Sequence, residues 1–367
     1  MVSHPQSAIT LPSAAPAKTL TKPHFSVIDA LRGLAACWVF LYHVGNGQVS
    51  SVVAFFPQWL SVPLFQWGSQ GVPVFFVLSG FVIAHSLMNA KINLPYFQRF
   101  TVRRLLRLNP PYYASIVLAI GLALIAAKAK GVPFAAPSLP QVLAHLLYLQ
   151  EVFGLKNIID VYWTLCLEVQ FYLVFCALLG LTQYLKQRWN VENARLLVFA
   201  PLAIVSAFWP LGIIPEGERA FLFLPLWYGF FLGVFAYWTW KREISRPVFY
   251  LYAIPILIGS IVMEIQVATT HAITAILLME IAQANRLGEW LKQSWLQFFG
   301  QISYSFYLIH VPISGATFFV GYKILSRSPF TESIMLLASF AICVICSYAF
   351  WYLFEKPSIA WSRRVKA

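Results

Sequence analysis

The segment DALRGLAACWVFLYH, residues 29–43, places an aspartate, an arginine and a histidine in an otherwise apolar run. With its apolar neighbours the run is about 20 residues long, enough for a helix to cross the hydrocarbon of a bilayer. Ionisable side chains are costly at that depth and usually face a cavity or the interior of a helix bundle. The segment therefore predicts a transmembrane helix with one polar face.

The composition of the whole chain agrees with a membrane protein. Of its 367 residues, 59% are hydrophobic and only 11% are charged, so most of the surface must suit lipid. The net charge of +13 does not indicate nucleic acid as a partner, because the basic residues form short clusters between apolar runs. The predicted fold class is all-α, a polytopic bundle of membrane helices with membrane lipid as its surroundings.

Ten apolar runs are long enough to span a membrane. They lie near residues 26–46, 66–88, 110–127, 161–184, 196–214, 220–240, 247–263, 268–284, 298–320 and 333–354. An eleventh run, 139–153, is shorter and more interrupted. With ten spans and a cytoplasmic N-terminus, 19 of the 26 Lys and Arg residues fall on the cytoplasmic side and six on the other, with Arg32 inside the first span. If residues 139–153 also crossed, the division would be 11 to 14. Because cytoplasmic loops carry excess Lys and Arg, we predict ten spans, both termini in the cytoplasm, and an interfacial or re-entrant segment at 139–153.

The remaining parts of the chain are short. Residues 1–24 lack the apolar region of a signal peptide and predict a disordered cytoplasmic tail, residues 25–357 form the transmembrane domain, and residues 358–367 a basic cytoplasmic tail. All five cysteines lie in apolar runs, and the one CxxC, Cys343 and Cys346, has no second ligand pair. We expect packing roles for them, without disulfides or a metal site.

Arg32 and His43 are eleven residues apart, so they lie about 20° out of line on one helix face and roughly 16 Å apart along the axis. Asp29 precedes Arg32 by three residues and is expected to be its structural partner. In the ten-span topology Arg32 lies near the cytoplasmic boundary and His43 in the outer half. Arg32 fits a snorkelling boundary residue as well as a functional one, whereas a functional role is favoured for His43.

A second polar cluster, FQRFTVRRLLRLNPPYY at residues 97–113, contains Arg103, Arg104 and Arg107. Arg104 and Arg107 are one helical turn apart and suit phosphate groups at the cytoplasmic side. The alternative is that these charges only set the topology and attract anionic lipid.

A carboxylate lies inside the fourth predicted span. Glu168 in WTLCLEVQFY is roughly 10 Å below the outer surface, close to the depth of His43, and contact between the two would satisfy both groups. The alternative is a structural role beside Trp163 or at a neighbouring helix end. Weaker candidates are His271 and Glu280, while Glu355 has a plausible arginine partner at the cytoplasmic end.

Trp163 and several other residues of the predicted spans are candidates for lining a cavity. Ser303, Tyr307 and His310 lie in FGQISYSFYLIHVPI, with the first and last on one helix face, although such residues also form ordinary hydrogen bonds between membrane helices. Ser79 precedes Gly80 in mid-span, where close helix packing is the first explanation and cavity lining the second.

Together these motifs resemble the acyltransferase 3 family of membrane O-acyltransferases, of the O-antigen and exopolysaccharide acetylase type. The resemblance covers residues 25 to about 360. It is carried by the R-x10-H of Arg32 and His43, FFVLSGF at 75–81, the R-x-x-R of Arg104 and Arg107, WTLCLEVQFY at 163–172, ISYSFYLIH at 302–310 and FEKP at 354–357. Thr164 stands where a Ser is common, Gln170 interrupts a region often richer in Glu, and Lys356 replaces a frequent Arg.

The resemblance implies transfer of an acyl group, usually acetyl, from cytoplasmic acyl-CoA to a hydroxyl of a cell-surface carbohydrate, lipid-linked glycan or glycoside. For such a reaction, the positions of the polar residues predict His43 as general base with Glu168 as its catalytic partner, and Arg32, Arg103, Arg104 and Arg107 as donor-binding residues. Acyl-CoA is then a co-substrate, and no cofactor is expected to be bound permanently. The expected location is the cell membrane, in this case the inner membrane of a bacterium.

Two other classes of function remain open. A transporter or flippase for a glycosylated or acylated small molecule would use the polar cavity as its route, but the chain shows no internal repeat of the kind on which many transporter folds are built. A structural subunit that depends on a partner would tolerate loss of His43. The acceptor, the length of the acyl chain and the oligomeric state are not determined by the sequence.

Overall fold

A computed structural model describes residues 24–214 and 224–365, and within those ranges all regular secondary structure is helical. Apart from His24, the tail predicted at residues 1–24 lies outside the described residues, as do residues 366–367. The helices are α1 (Ser26–Gly45), α2 (Ser50–Phe55), α3 (Gln58–Ser61), α4 (Gly71–Leu87), α5 (Leu94–Lys130), α6 (Leu139–Leu146), α7 (Trp163–Trp189), α8 (Ala194–Ala207), α9 (Leu224–Trp240), α10 (Arg246–Val262), α11 (Gln266–Gln283), α12 (Ser294–Ile324), α13 (Pro329–Phe350) and α14 (Lys356–Arg364).

Short helical turns of other types join several of these helices. A π-helical turn (Val62–Gln66) and a 3₁₀ turn (Trp67–Gln70) connect α3 to α4, a 3₁₀ turn (Asp160–Tyr162) leads into α7, and a π-helical turn (Trp351–Glu355) joins α13 to α14. As a result, α3 and α4 form one almost continuous helical segment, and so do α13 and α14.

A helix lies on each of the ten apolar runs. In the described ranges five helical segments are long and apolar enough to cross a membrane: Ser26–Gly45, Gln58–Leu87, Leu94–Lys130, Asp160–Trp189 and Pro329–Arg364. The helices α8 and α10 are apolar but shorter. The 14 residues of α8 extend only about 21 Å, against about 30 Å of hydrocarbon. The count of ten spans and the side on which the termini lie stay predictions.

Helix α5 begins 16 residues before the apolar run at 110–127 that marks it in the sequence. The Asn93 side chain caps its first turn by accepting a hydrogen bond from the Tyr96 N–H at 2.8 Å, and Pro95 lies in that turn. The helix ends before Gly131, whose backbone is in the left-handed conformation. Arginine and asparagine lower the hydropathy of the first half of this helix, so that half does not read as an apolar run. Pro110 and Pro111 also suggest that a helix should end there, but α5 continues through both prolines. The arginine cluster therefore belongs to a rigid helix and not to a loop.

The segment predicted at 139–153 is helical only over Leu139–Leu146. His145 fixes this segment, because its Nδ1–H donates to the Gln141 carbonyl at 2.7 Å and its Nε2 accepts from the Ile158 N–H at 3.1 Å. Burial lowers the pKa of His145, which keeps the ring neutral and preserves Nε2 as an acceptor. The chain that leads to Asp160 is thereby held in place.

The segment from residue 358, predicted as a basic tail, is helical to Arg364. It packs against α5, and the Ser358 hydroxyl donates to the Arg107 carbonyl at 3.0 Å. The end of the bundle is thus attached to the helix that carries the arginines.

The centre of the bundle is formed by α1 against α12 and α4, and by α4 against α9. The two crossings are close because glycines lie at them. A Cβ on Gly33 of α1 would clash with the backbone of Phe299 and Gly300, and a Cβ on Gly80 of α4 would clash with the Phe230 carbonyl of α9. This confirms the packing role that the sequence favours at Gly80.

The crossing at Gly80 leads to a stability prediction. We expect Gly80→Ala to lower the thermal unfolding temperature of the detergent-purified protein, because overpacking a tight contact typically costs about 1–3 kcal/mol. The matched control is Gly121→Ala in α5, where a Cβ meets nothing within 4 Å. Helix propensity alone favours alanine by up to about 1 kcal/mol, so the control should be neutral or stabilising. Equal effects of the two substitutions would contradict a tight crossing at Gly80.

Candidate functional site

Two adjoining cavities lie between the central helices. The arginine cavity is defined by its polar residues Arg32, Ser79, Arg104, Arg107, Glu168, Tyr172 and Glu355. The histidine cavity is defined by Tyr42, His43, Asn46, Asp160, Trp163 and His271. Counting the open space at their mouths, their empty volumes are about 930 Å³ and about 1150 Å³. Val72, Phe76 and Tyr307 line both cavities and form the wall between them.

The shared wall is held by hydrogen bonds from α12 to the start of α7. The Tyr307 hydroxyl lies 2.9 Å from Thr164 Oγ1 and donates to the Val161 carbonyl at 3.2 Å. The Phe75 ring contacts the Tyr307 ring edge-on at 5.6 Å. Tyr307 is therefore an aromatic residue held in a fixed position where the two cavities meet.

Arg104 is oriented by one hydrogen bond and by two aromatic rings. It donates to the Ser86 hydroxyl at 3.1 Å and lies over the rings of Tyr172 at 4.8 Å and Phe100 at 5.5 Å. Such cation–π contacts leave the edge of the guanidinium available for further hydrogen bonds.

The arginine cavity carries an excess of positive charge. Three guanidiniums line it, from Arg32, Arg104 and Arg107, against the two carboxylates of Glu168 and Glu355. Within residues 24–214 and 224–365 none of the three arginines forms an ion pair, and Arg32 Nε is buried without a hydrogen-bond partner. Arginines left unpaired in a partly enclosed site suit an anionic ligand such as phosphate.

Both carboxylates of the arginine cavity are held by hydrogen bonds from hydroxyl or amide groups. Glu168 accepts from Ser79 Oγ at 2.6 Å and from the Tyr172 hydroxyl. Glu355 accepts from Ser305 Oγ at 2.6 Å and from the Ser305 N–H at 3.2 Å. Ser79 thus lines the cavity, the less favoured of the two explanations from sequence.

Arg103, predicted to bind the donor with its neighbours, does not line the arginine cavity. Consecutive residues on a helix point about 100° apart, and Arg103 points away from the cavity that Arg104 lines. Arg104 and Arg107, one turn apart, do so.

The predicted contact between Glu168 and His43 is wrong, because the two side chains line different cavities. Glu168 lies five residues beyond Trp163, the first residue of α7, which places it about 7.5 Å further along that helix. Trp163 reaches the histidine cavity, whereas Glu168 faces Ser79 on α4. The carboxylate that interacts electrostatically with His43 is that of Asp160, in the turn before α7.

His43 lies against a second histidine. Its ring centroid is 5.2 Å from that of His310, at an interplanar angle of 53°. The Nδ1–H of His310 donates to the carbonyls of Phe306 and Tyr307 at 3.1 Å and 2.9 Å, so its Nε2 carries the lone pair. That Nε2 is buried and has no hydrogen-bond partner among the described residues. His310 is fully buried and lines neither cavity, contrary to expectation, and it packs behind His43 instead.

Two further predictions are corrected. The Asp29 carboxylate pairs with His24 at 3.0 Å and not with Arg32, because His24 precedes α1 and reaches its first turn while Arg32 turns toward the cavity. Ser303 is 1% exposed, donates to the Gly300 carbonyl at 2.8 Å and lines neither cavity. It is an ordinary helix hydroxyl bonded to its own backbone.

Sequence reasoning missed Asp160 and Tyr172 as site residues and gave His271 little weight. Asp160 was marked only by its place, as an acid directly before a predicted span. Tyr172 lies four residues after Glu168 and therefore on the same helix face. His271 lies outside every motif that drew attention to the other residues.

Residues 25–353 match the family described as "Acyltransferase domain". The chain belongs to this acyltransferase family. The match covers the described helices from α1 to the π-helical turn that follows α13, and hence nearly every residue that lines the two cavities.

Three named relatives of this acyltransferase-family chain illustrate the range. It is 30% identical over 197 residues to the peptidoglycan O-acetyltransferase OatA of Listeria monocytogenes, covering 50% of this chain and 28% of OatA. It is 28% identical over 178 residues to the regulator of hypoxia-inducible factor 1 of Caenorhabditis elegans, covering 44% and 35%. It is 25% identical over 357 residues to the "Putative membrane-bound transacylase BcsY" of Komagataeibacter xylinus, covering 92% and 83%. The chain therefore aligns with about a third or less of the length of the first two. No solved structure shows significant similarity to it.

Proposed function

We propose that this protein is a cell-membrane O-acyltransferase that moves an acyl group, expected to be acetyl, from acyl-CoA to a hydroxyl of a carbohydrate or glycoside. The observation that carries the proposal is the pair of cavities that meet at Tyr307. One of them holds three arginines that form no ion pair with any residue the structure describes, and the other holds a histidine and a carboxylate.

The donor is proposed to bind with its phosphates in the arginine cavity. Arg32, Arg104 and Arg107 would hold these phosphates, while the pantetheine arm extends past Tyr307 toward the histidine cavity. Arg32 and His43 lie on the same helix α1, about 16 Å apart along its axis. An extended arm is the part of acyl-CoA that separates phosphate from thioester, so it suits a site with this spacing.

His43 is proposed as the general base. It takes the proton of the acceptor hydroxyl as the oxygen attacks the thioester carbonyl, and it returns that proton to the departing CoA sulfur when the tetrahedral intermediate collapses. In the new ester the hydroxyl oxygen carries the acyl group, and CoA leaves as the thiol.

His310 and Asp160 are proposed to support His43 from two sides. Because the Nδ1–H of His310 is committed to backbone carbonyls, its Nε2 can only accept, and an N–H of His43 is the donor nearby. Such a bond would fix the tautomer of His43 with its other nitrogen free to act as base. The charge of Asp160 would stabilise the imidazolium that forms. Glu168, without contact to His43, is proposed to hold Ser79 and Tyr172 in the wall of the donor site.

The test is an assay of the purified protein in lipid nanodiscs with acetyl-CoA and a panel of glycosides. We expect free CoA thiol to appear only when a suitable acceptor is present, together with a glycoside heavier by one acetyl group in the mass spectrum. A transporter or flippase would consume no acetyl-CoA, so uptake of glycoside into sealed vesicles without thiol release would contradict the proposal.

A further inference from the structure

A buried histidine of α11 also lines the histidine cavity. His271, on α11, is 0% exposed yet lines that cavity. Neither of its ring nitrogens has a hydrogen-bond partner among the residues that the structure describes. Burying a polar group without a partner is costly, so an imidazole in this position calls for an explanation beyond packing.

The other two fully buried histidines are bonded differently. His145 uses both ring nitrogens, and His310 commits Nδ1 to the carbonyls of its own helix. The Val267 carbonyl, one helical turn before His271, interacts with its ring but can engage at most one nitrogen. At least one nitrogen of His271 is therefore without a partner among the described residues, on a side chain that lines the cavity.

The residues around His271 form a packing environment that suits a planar side chain. Its ring lies parallel to that of Phe76, with centroids 6.0 Å apart, and contacts the Tyr228 ring edge-on at 5.0 Å. A Cβ on Gly229 would clash with the imidazole, so the glycine makes the room for it. Phenylalanine would satisfy these packing contacts without any unpaired nitrogen, and packing alone does not explain a histidine here.

The cavity that His271 lines has the makeup of a site for a neutral, hydroxyl-rich molecule. His43 and Asn46 from α1 and its C-cap, together with Asp160, supply polar groups, and the Tyr42 and Trp163 side chains supply aromatic surface. A sugar ring offers hydroxyls that both donate and accept, and apolar C–H faces that pack on aromatic rings. An anionic ligand is disfavoured, because Asp160 is in the same cavity.

From these observations we infer that His271 is a specificity-determining residue for the acceptor. Building on the proposed function, it hydrogen-bonds one hydroxyl of a neutral sugar ring and thereby turns a second hydroxyl toward His43. His271 therefore acts in binding the acceptor and does not accept a proton during the reaction.

The experiment compares the wild type with His271→Phe, using methyl glucoside, methyl galactoside and methyl mannoside with their monodeoxy analogues as probes. Phenylalanine keeps the contacts to Phe76 and Tyr228 and removes both nitrogens. We expect KM for the preferred glycoside to rise about tenfold, the usual effect of one lost hydrogen bond, with KM for acetyl-CoA unchanged. One deoxy analogue, lacking the hydroxyl that His271 binds, should be used equally well by both proteins. An unchanged KM for the glycoside, or the same penalty for every deoxy analogue, would overturn the inference.

A second measurement separates this inference from the proposed reaction. Glycoside binding is followed by the shift in unfolding temperature, without acetyl-CoA and therefore without turnover. We expect the glycoside to stabilise the wild type but not His271→Phe, while the variant without ligand unfolds at the same temperature as the wild type or higher, because an unsatisfied polar group has been removed. A structural role for His271 would instead lower the unfolding temperature. Equal stabilisation of both proteins, or of neither, contradicts the inference whatever the transfer assay gives.

Discussion

Substitution of His43 by alanine should reduce acyl transfer by about 10²- to 10⁴-fold, the contribution typical of a positioned general base. The residual rate should not recover at saturating glycoside or acetyl-CoA, because the loss concerns the proton transfer and not the binding of either substrate. Affinity for acetyl-CoA, measured by calorimetry, should stay close to that of the wild type, since the arginine cavity does not include His43.

The control for this prediction is His24→Ala. His24 is a largely exposed histidine outside both cavities, and it pairs with Asp29 at the start of α1. We expect full activity from it. If the His43 variant is stably inserted and retains wild-type turnover, His43 is not the base, and the structural-subunit alternative regains support.

The face of α1 was predictable because a single helix has one simple geometry. Eleven residues make three turns, so Arg32 and His43 had to share a face at two depths, and they line the two adjoining cavities. Placing them needed no knowledge of any other helix. The same reasoning predicted that Arg104 and Arg107 lie together, one turn apart on α5.

The pairing of His43 with Glu168 failed because it joined two helices through their depths alone. Depth in a membrane says nothing about the direction in which a side chain points, and Glu168 points to Ser79 on α4. The 3₁₀ turn before α7 was also invisible in the hydropathy, although it places Asp160 beside His43. Contacts between helices depend on rotation about each axis, which the sequence of one helix does not fix.

The partner of Asp29 and the burial of Ser303 were missed for a related reason. Arg32, three positions after Asp29, is only one of several side chains within reach of the carboxylate. His24, which precedes the helix, is the residue that pairs with it. Ser303 satisfied its hydroxyl on its own backbone. Polar partners that are close in sequence can thus satisfy a side chain that would otherwise be expected to line a functional cavity.

Tyr307 lines both cavities, which suggests that they bind parts of one molecule. If they were unrelated, a fixed aromatic side chain touching both would be incidental. If one molecule extends through both, then Tyr307, held by Thr164 and Val161, is the surface along which its narrow part runs. The acyl-CoA proposed as donor has such a shape, with a broad charged end and a thin arm, and the positive charge of the arginine cavity is the reason for proposing that its phosphate end binds there.

The arginine cavity leads to the second large effect. We expect Arg104→Ala to raise KM for acetyl-CoA by roughly ten- to a hundredfold, because losing a hydrogen bond to a charged group costs about 1.5–3 kcal/mol and each 1.4 kcal/mol is about tenfold. The glycoside KM should be unchanged, since Arg104 does not line the histidine cavity. Arg104→Lys should fall between the two, because lysine keeps the charge but loses the planar fork.

Arg103→Ala is the matched control, with the same charge on the same helix one residue away, outside the cavity. If the cluster only sets topology or attracts anionic lipid, the two alanine variants should behave alike. A donor without phosphates sharpens the comparison. With S-acetyl-pantetheine, the Arg104→Ala variant should match the wild type, because the phosphates that Arg104 is proposed to bind are absent, whereas with acetyl-CoA the two should differ by the full factor. An equal penalty with both donors would mean that Arg104 supports the fold of the site and does not bind phosphate.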